Sequence, residues 1–301
     1  MNTQHPPVCD YEGSEYQANF WDRGEREYED RVEAIALQRL LPPSGRLLLE
    51  LGAGAGRNTP RYTGFPRIVL LDLSLSQLKL AQERLGISDR YIYVAADVYR
   101  LPFTSGLFDV ATMIRTLHHL QEPALVLEQV RQVLQPGAVF ILEYANKRNL
   151  KAILRYWLGK QSWNPFSLAP VEFAELNFDF HPRAVRAWLS QTGFKLERQL
   201  TVSHFRIAWL KRLVPLGLLV KLDALFQWSG AWWQLTPSVF LRSTAQGEAV
   251  EAQEGAFFRC PECTFHPLAE SGSRLDCPSC QRSWAIRDGI YDFRQPIVNS
   301  D

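Results

Sequence analysis

Residues 46–56 decide the fold, and they read RLLLEL followed directly by GAGAG. The first six form a short apolar run, which is typical of a buried parallel strand. The glycines let the backbone turn tightly and approach a ligand without obstruction by side chains. A helix-compatible segment follows, and the free N–H groups at a helix start attract a negatively charged group. This order predicts a ligand-binding loop at the edge of an α/β sheet.

The same alternation continues along the chain. Ser74 and Gln77 have the spacing of a capping box, which predicts a helix to about Leu85, and Pro123 opens a further helix to about Leu134. Strands that alternate with helices predict a parallel, doubly wound sheet. Seven strands are expected, at residues 46–51, 68–71, 91–95, 108–114, 138–144, 194–202 and 238–243.

The remaining apolar segments are helical. Residues 24–41 predict an amphipathic helix that stops at Pro42 and Pro43, and residues 182–191 predict another. Leu213 to Trp228 is apolar, but Lys221 and Asp223 interrupt it, and it is too short to span a bilayer. We interpret it as a buried or half-buried helix, with a membrane-surface or lipid-substrate role as the alternative.

Composition places the chain among ordinary globular proteins. The 301 residues carry a formal net charge of +1, which gives no global attraction to nucleic acid or to an anionic membrane. The polar start, Met1 to Asp10, lacks the apolar core of a signal peptide. Four of the five cysteines lie in one short stretch, which suits a reducing compartment with a metal site. A cytoplasmic location is expected.

The glycine loop does not fit a dinucleotide. The dinucleotide pattern requires glycine or alanine three positions after its second glycine. Counting from Gly54 gives Arg57, and counting from Gly56 gives Thr59. Glu50 would repel a pyrophosphate, whereas it suits a cationic ligand such as the aminoacyl part of S-adenosylmethionine.

Five ordered motifs resemble class I S-adenosylmethionine-dependent methyltransferases. Residues 50–56 look like the first motif, and residues 108–110 and 134–138 resemble the fourth-strand motif and the turn before strand five. Residues 115–120 (RTLHHL) are similar to the ubiquinone-biosynthesis-like subgroup, methyltransferase type 11. The resemblance covers about residues 45–145. It implies a Rossmann-like sheet and S-adenosylmethionine as cofactor.

The resemblance also implies roles for individual residues. Asp72 matches the acidic residue that binds the ribose hydroxyls, and Asp97 and Val98 match the adenine-binding pair. The implied cofactor-binding residues are Glu50, Gly52, Gly54, Gly56, Asp72, Leu73, Asp97, Val98 and Arg115. His118 and His119 are candidates for a catalytic base because imidazole titrates near neutrality, although a packing or capping role is the alternative.

The acceptor is less defined. Residues 114–117 lack the Asn-Pro-Pro-Tyr-like motif of amino-methylating enzymes, which leaves small oxygen, carbon or nitrogen nucleophiles open. Methyl transfer requires in-line approach, so alignment and water exclusion can suffice without a base. The apolar residues between Trp209 and Trp233 favour a hydrophobic small molecule.

Two CxxC pairs predict a structural zinc site. The candidate ligands are Cys260, Cys263, Cys277 and Cys280, and four thiolates fill a tetrahedral zinc site with no position left for water. Residues 284–293 resemble the tail of a small zinc-ribbon protein that activates RNA and translation-factor methyltransferases. If the resemblance holds, the ribbon is a stabiliser or substrate platform in cis. Its charges nearly balance, so nucleic-acid binding is possible but not favoured.

A basic cluster without acids runs from Lys147 to Lys160, with Tyr156, Trp157 and Trp163 beside it. A solvated helix face is the first interpretation, and RNA phosphates, an anionic substrate or a lipid headgroup are alternatives.

Together these observations predict methyl transfer to a small or hydrophobic acceptor. One alternative is modification of RNA or a translation factor with the ribbon as activator, and another is a non-catalytic cofactor-binding scaffold. The oligomeric state stays open. The expected division is a helical segment (1–44), a methyltransferase domain (45–245, with substrate-side insertions at 147–182 and 205–235), a linker (246–256) and a zinc ribbon (257–295).

Overall fold

The computed structural model describes residues 6–9, 12–13, 26–248 and 255–297. Its α-helices are α1 (Glu27–Leu40), α2 (Leu75–Leu85), α3 (Pro123–Val133), α4 (Leu150–Trp157), α5 (Pro182–Gln191), α6 (Ala208–Leu213) and α7 (Leu216–Phe226). Its strands are β1 (Leu47–Leu51), β2 (Arg67–Asp72), β3 (Tyr91–Ala95), β4 (Phe108–Met113), β5 (Leu134–Ala145), β6 (Val171–Ala174), β7 (Asn177–Asp179), β8 (Phe194–Val202), β9 (Ser238–Ala245), β10 (Ala269–Ser271), β11 (Arg274–Asp276), β12 (Ser283–Arg287) and β13 (Ile290–Asp292).

One sheet of eleven strands organises the described residues, in the order β10-β11-β12-β13-β3-β2-β1-β4-β5-β9-β8. Strands β3, β2, β1, β4 and β5 are parallel, and β9 pairs antiparallel with β5 and with β8. The seven expected strands are therefore present, and the α/β class is confirmed. The sheet has eleven strands rather than the expected seven because four C-terminal strands, β10 to β13, extend it. Strands β6 and β7 form a separate pair.

Both faces of the central strands are covered, which explains why β1 is buried over its whole length. Leu49 packs in one apolar cluster with Val126 of α3 and Val185 of α5. On the opposite face, Leu48 packs in a second cluster with Val32 of α1. A parallel strand that is buried on both sides reads as a continuous apolar run, which is the pattern of residues 47–51.

Local polar contacts fix the element ends. The hydroxyl of Ser74 accepts a hydrogen bond from the Gln77 N–H at 3.3 Å, so the predicted N-cap of α2 is confirmed. The Asp109 carboxylate accepts the N–H groups of Arg46 and Leu47 at 2.6 and 2.7 Å. These bonds hold the start of β1 against β4.

The two segments predicted as insertions are more regular than the sequence indicates. None of the seven predicted strands lies in residues 147–182, but β6 and β7 form a hairpin there. Within the apolar segment of residues 213–228, Leu219 is 2% exposed, whereas Leu213 and Leu225 are 76% and 68% exposed. One face of this segment is buried and the other is exposed, which agrees with the half-buried helix that the sequence predicts.

Parts of two predicted segments lie outside the described residues: most of residues 1–25, and residues 249–254 of the linker. The proposed domain boundaries stay predictions. In the portion of the chain that is described, no helix has the length and apolar character needed to cross a membrane.

Candidate active site

The glycine loop after β1 turns tightly as predicted, but a 3₁₀ turn, Thr59–Arg61, follows it where the sequence predicts the start of a helix. Gly52 and Gly54 have φ angles of 67° and 52°, which side-chain-bearing residues rarely adopt. A Cβ on Gly52 would lie 2.1 Å from Oγ1 of Thr116, so this position must be glycine for β1 and the chain after β4 to meet. A Cβ on Gly54 would meet nothing within 4 Å, because this residue faces open space.

That space is a cavity with about 690 Å³ of empty volume, including its open mouth. It lies at the carboxyl ends of the parallel strands, where open α/β sheets bind ligands. The sequence-predicted residues that line it are Gly52, Gly54, Asp72, Leu73, Val98, Arg115 and His119. The lining residues that the sequence argument missed are Val8, Cys9, Gln77, Ala96, Thr116 and Leu120.

Asp72 stands at the end of β2 and links two walls of the cavity. One carboxylate oxygen accepts the Gly54 N–H at 2.8 Å, and the other accepts the Ser74 N–H at 3.0 Å. The carboxylate is thereby held between the glycine loop and the start of α2. Such a fixed pair of acceptor oxygens suits two neighbouring hydroxyl groups of a ligand.

Glu50, Gly56, Asp97 and His118 are not among the residues that line this cavity. Asp97 accepts the Tyr99 N–H at 2.9 Å within the turn after β3. Gly56 packs toward Leu85 and Ala81 of α2, where a Cβ would be crowded at 2.9 and 3.3 Å. Their assigned roles stay predictions.

Glu50 lies inside β1 and is 4% exposed. Its carboxyl group accepts hydrogen bonds from the hydroxyls of Thr59 (2.6 Å) and Tyr62 (3.1 Å). Burial raises the pKa of Glu50 to about 7, against the smaller lowering effect of those two hydroxyls. At neutral pH this side chain is therefore poised between its charged and neutral forms.

Arg115 is held in an unusual conformation beside the cavity. Its φ angle is 57°, and its N–H donates to Glu143 of β5 at 3.0 Å. Its guanidinium Nε donates to Glu33 of α1 at 2.8 Å, and Arg57 donates to the same carboxylate at 2.9 Å. Burial alone would raise the pKa of Glu33, but the two guanidinium groups lower it below its usual value.

Glu33 thus connects α1 to the cavity wall, which the sequence argument missed. The helical periodicity predicted α1, but no local pattern shows that one of its acids meets Arg115, 82 positions away.

The two histidines lie in a 3₁₀ turn, Leu117–His119, after β4. Their ring centroids are 3.9 Å apart. Burial and the neighbouring His119 and Arg115 hold the pKa of His118 well below its usual value, and burial also lowers the pKa of His119. His119 Nδ1 lies 3.3 Å from the Leu176 carbonyl of the β6–β7 hairpin, so the hairpin lies against this turn. Both imidazoles are neutral at pH 7, and a base role stays a prediction.

A pair of acids lies beyond this turn. Glu143 is 2% exposed and accepts the Ser238 hydroxyl at 2.7 Å. Burial raises the pKa of Asp179, in β7, to about 6, and the charge of Glu143 adds to this effect. The sequence argument missed both residues. Asp179 lies near the carboxyl end of β5 because the β6–β7 hairpin folds back there, which no local pattern predicts.

The four predicted zinc ligands converge. The sulfur atoms of Cys260, Cys263, Cys277 and Cys280 all lie within 4.8 Å of one another. Cys260 and Cys280 sulfurs are 3.6 Å apart, and those of Cys263 and Cys277 are 3.5 Å apart. Tetrahedral zinc with bonds of about 2.3 Å separates its sulfur ligands by nearly 4 Å, so the cluster fits that metal. The N–H groups of Glu262 and Cys263 donate to the Cys260 sulfur, as expected for a thiolate.

The cysteine module joins the main sheet directly. Strand β13 pairs in parallel with β3, with Ile290 opposite Tyr93 and Asp292 opposite Ala95. The ring of Phe258 stacks on Phe103 at 5.9 Å. The module therefore covers the edge strand β3, which would otherwise expose its unpaired backbone groups.

Comparisons with known proteins agree with this geometry. A family model described as a methyltransferase domain matches residues 49–142. A demethylmenaquinone methyltransferase of Clavibacter sepedonicus is 27% identical over 165 residues, which are 54% of this chain and 67% of that protein. Residues 49–142 therefore carry a methyltransferase domain. The predicted enzyme class, an S-adenosylmethionine-dependent methyltransferase, is confirmed for this domain.

Other relatives match only part of their length. The ubiquinone/menaquinone biosynthesis C-methyltransferase UbiE of Ectopseudomonas mendocina is 29% identical over 113 residues, 35% of this chain and 44% of that protein. The chain thus spans less than half of this relative.

Solved structures support the fold of the methyltransferase domain. The complex of the Haloferax volcanii Trm112 methyltransferase activator with a protein proposed to be a methyltransferase matches with a TM-score of 0.54 at 16% identity, over 77% of this chain and 96% of that one. An S-adenosylmethionine-dependent methyltransferase of Mesorhizobium loti matches with a TM-score of 0.50 at 18% identity, over 71% and 97% of the two chains.

Proposed function

We propose that this protein transfers the methyl group of S-adenosylmethionine to a hydrophobic small molecule held over the carboxyl edge of the sheet. The observation that carries the proposal is the cavity in which Gly52, Gly54, Asp72 and Arg115 meet beside the loop after β1. When bound, S-adenosylmethionine supplies an electrophilic methyl group on a sulfonium centre.

On the cofactor side, the roles of the lining residues follow from their chemistry. Asp72 presents two fixed acceptor oxygens for the ribose hydroxyls. Ala96 and Val98 supply an apolar wall for the adenine, and the open space at Gly54 admits the cofactor close to the backbone. Arg115 also lines the cavity, and its hydrogen bond to Glu33 holds its guanidinium group in place.

On the acceptor side, Leu120 and the names of two relatives favour an apolar ligand. Thr116, His119 and Leu120 line the cavity beside the 3₁₀ turn, and the hairpin packs against that turn. One relative is named a demethylmenaquinone methyltransferase, and another, from Caenorhabditis elegans, is named a sterol 4-C-methyltransferase. Both names denote hydrophobic ring systems.

Asp179 is our candidate for the group that accepts a proton from the acceptor. Burial raises the pKa of Asp179 to about 6, so the carboxylate form prevails at pH 7.5. The N–H of the next residue, Phe180, donates to the Ala145 carbonyl at the end of β5 at 2.8 Å, although Asp179 itself does not line the cavity. Turnover should therefore fall as the pH drops through about 6, and Asp179→Asn should lose most turnover without weaker S-adenosylmethionine binding. Unchanged turnover in this variant would remove Asp179 from the mechanism.

For the ribbon, we infer a structural zinc site that stabilises the edge strand β3 in cis. The convergence of the four sulfur atoms and the β13–β3 pairing support this role. A platform for RNA or a translation factor remains the alternative function, and the acceptor assay tests it.

The first experiment is calorimetric titration of the zinc-analysed protein with S-adenosylmethionine and, separately, with NAD. We expect binding of S-adenosylmethionine alone. Methyl transfer is then measured with tritiated S-adenosylmethionine against reduced demethylmenaquinone, a sterol, and bulk tRNA. Label in the quinol or sterol supports the proposal, whereas label in tRNA supports the RNA alternative. Cofactor binding with no turnover on any acceptor supports the scaffold alternative.

A further inference from the structure

Two exposed apolar segments flank the carboxyl edge of the sheet. The first is residues 150–168, which include α4, and the second is residues 207–235, which include α6, α7 and the 3₁₀ helix Gln227–Ala231. We call the two together the aromatic–basic surface. Neither segment is used by the cofactor cavity.

Helix α4 turns an apolar stripe toward solvent. Leu150, Leu154, Trp157 and Leu158 recur at the spacing of one helix face, and they are 51%, 46%, 69% and 66% exposed. The buried side of the helix is a different one, formed by Ala152 and Ile153. A globular helix normally buries its apolar stripe against the core, whereas this second apolar face of α4 stays largely exposed. Trp157 stacks on Phe166 at 6.4 Å, but both rings face solvent, at 69% and 41% exposure.

The second segment repeats this arrangement on a larger scale. Trp209, Leu213, Trp232 and Trp233 are 62%, 76%, 76% and 63% exposed. Trp228 is different, because Arg39 and Arg198 pack over its ring at 5.2 and 5.4 Å. Among the described residues, no such arginine contact accounts for the exposure of Trp209, Leu213, Trp232 and Trp233.

The two segments are continuous in space. The Leu150 N–H at the start of α4 donates to the Leu235 carbonyl at 2.8 Å. The Asn146 amide, just before α4, donates to the Gln234 and Thr236 carbonyls at 3.0 and 2.8 Å. Trp232 and Trp233 therefore lie next to the N-terminal end of the α4 stripe.

The charge of this surface has one sign. Its exposed ionisable residues are all basic: Lys151, Arg155, Lys160, Arg212 and Lys221. The single acid within the two segments, Asp223, is fully buried and accepts the Tyr28 hydroxyl at 2.6 Å. The two segments hold six basic residues and one acid, a net charge of +5, whereas the whole chain has a net charge of only +1. Acids are therefore scarce here, and the rest of the chain is net negative.

The surface is also tied to the active site. Lys211 of α6 donates to Glu29 of α1 at 2.7 Å, and one turn further along α1 Glu33 binds Arg115 at the cavity. On the other side, the backbone of Asn146 follows directly from β5. A lipid bilayer that binds this surface would therefore lie beside the carboxyl edge of the β-sheet.

We infer that the aromatic–basic surface binds the interface of a membrane that contains anionic lipid. Exposed Trp and Leu beside Lys and Arg, on short amphipathic helices, match the chemistry of that interface: apolar side chains enter the acyl boundary and basic ones meet the headgroups. The inference goes beyond the proposed reaction, because membrane binding needs neither cofactor nor acceptor. A second copy of this chain fits less well, since two identical basic surfaces would repel each other.

The test is flotation of the full, zinc-loaded protein with vesicles of one part phosphatidylglycerol to two parts phosphatidylcholine, and with phosphatidylcholine alone. We expect binding to the anionic vesicles that weakens with salt. The variant Trp157→Glu/Trp232→Glu/Trp233→Glu should reduce the vesicle-bound to free ratio about tenfold or more, and Lys151→Glu/Arg155→Glu should remove much of the salt dependence.

Matched controls come from the opposite edge of the sheet. Ile87 is 77% exposed in the turn before β3, and Lys195 is exposed near the start of β8. Ile87→Glu and Lys195→Glu should bind vesicles as the parent protein does. Because all substituted side chains are exposed, thermal melting and S-adenosylmethionine affinity should match in every variant. A failure of cofactor binding in the parent would instead count against the proposed function.

A second measurement needs no substitution. Brominated phosphatidylcholine in the anionic vesicles should quench the exposed tryptophans but not Trp284, which is 1% exposed. The inference is overturned if the parent protein does not float with anionic vesicles at low salt, or if the triple tryptophan variant floats equally well. It is also overturned if the parent protein binds RNA but not vesicles. The same holds if the parent protein is a dimer and the triple tryptophan variant, unlike the controls, is a monomer.

Discussion

The centre of the sheet and its C-terminal end are held together by different forces. Around β1 the strands are buried on both faces, and apolar side chains from several helices cover them. At the C-terminal end, β10 is fully exposed and β11 buries only Leu275, so the C-terminal module has a small core. Its remaining support is the cysteine cluster and the junction with β3. The methyltransferase domain can therefore fold by apolar burial, whereas the module needs its metal and its neighbour.

The largest expected effect comes from removing the metal site. Cys260→Ser/Cys277→Ser should abolish zinc binding and unfold the module, because structural zinc contributes about 10 kcal/mol or more to such small folds. Metal analysis and the near-ultraviolet circular dichroism of Trp284 measure both losses. Cys9→Ser, which changes the cysteine outside the cluster, should keep the zinc. If the module stays folded without metal, the centre and the C-terminal end of the sheet do not differ in what stabilises them.

The next effect concerns the methyltransferase domain. Glu33→Ala leaves the guanidinium groups of Arg57 and Arg115 without their buried acid, which should lower the free energy of unfolding by about 3–5 kcal/mol. Glu27→Ala on the same helix is the control, since Glu27 forms only an exposed pair with Arg31. Urea unfolding measures the difference. Equal effects of the two substitutions would show that the buried ion pairs of Glu33 add nothing measurable to the stability of the domain.

Asp72→Ala should reduce S-adenosylmethionine affinity about 100-fold, because one carboxylate supplies the charged acceptors for two hydroxyl groups. Asp89→Ala, at an exposed position on the opposite edge of the sheet, should leave calorimetric affinity unchanged. An unaltered affinity in Asp72→Ala would refute the ribose assignment.

The smallest effect is a pH dependence of stability. The pKa of Glu50 is about 7 in the folded protein and 4.5 without burial, so the folded state binds a proton more tightly. The contribution of Glu50 to the free energy of unfolding is therefore most favourable at low pH and falls as the pH rises from the unfolded pKa toward the folded pKa. The loss is about 2 kcal/mol between pH 5 and 8. The difference in unfolding free energy between the parent and Glu50→Gln should follow this curve in urea titrations at several pH values. A constant difference would mean that Glu50 is ionised throughout.

Most of the methyltransferase domain was predictable because its signals are local. The run at residues 47–51, the glycines after it and the cap at Ser74 each depend on neighbours within a few positions. The cysteine spacing predicted a four-sulfur cluster for the same reason. The contacts of Glu33 with Arg115 and of His119 with Leu176 were missed, because each joins residues that are more than fifty positions apart.

The sequence by itself determined the class of sheet, the glycine loop, the acid at the end of β2 and the metal cluster, since hydrophobic period and turn chemistry act over short distances. Only the tertiary structure decided that β13 would extend the sheet at β3, and that α4 and α6 would leave apolar faces in solvent. An apolar stripe reads the same whether a core or a membrane covers it. Which of these it meets depends on where the rest of the chain packs.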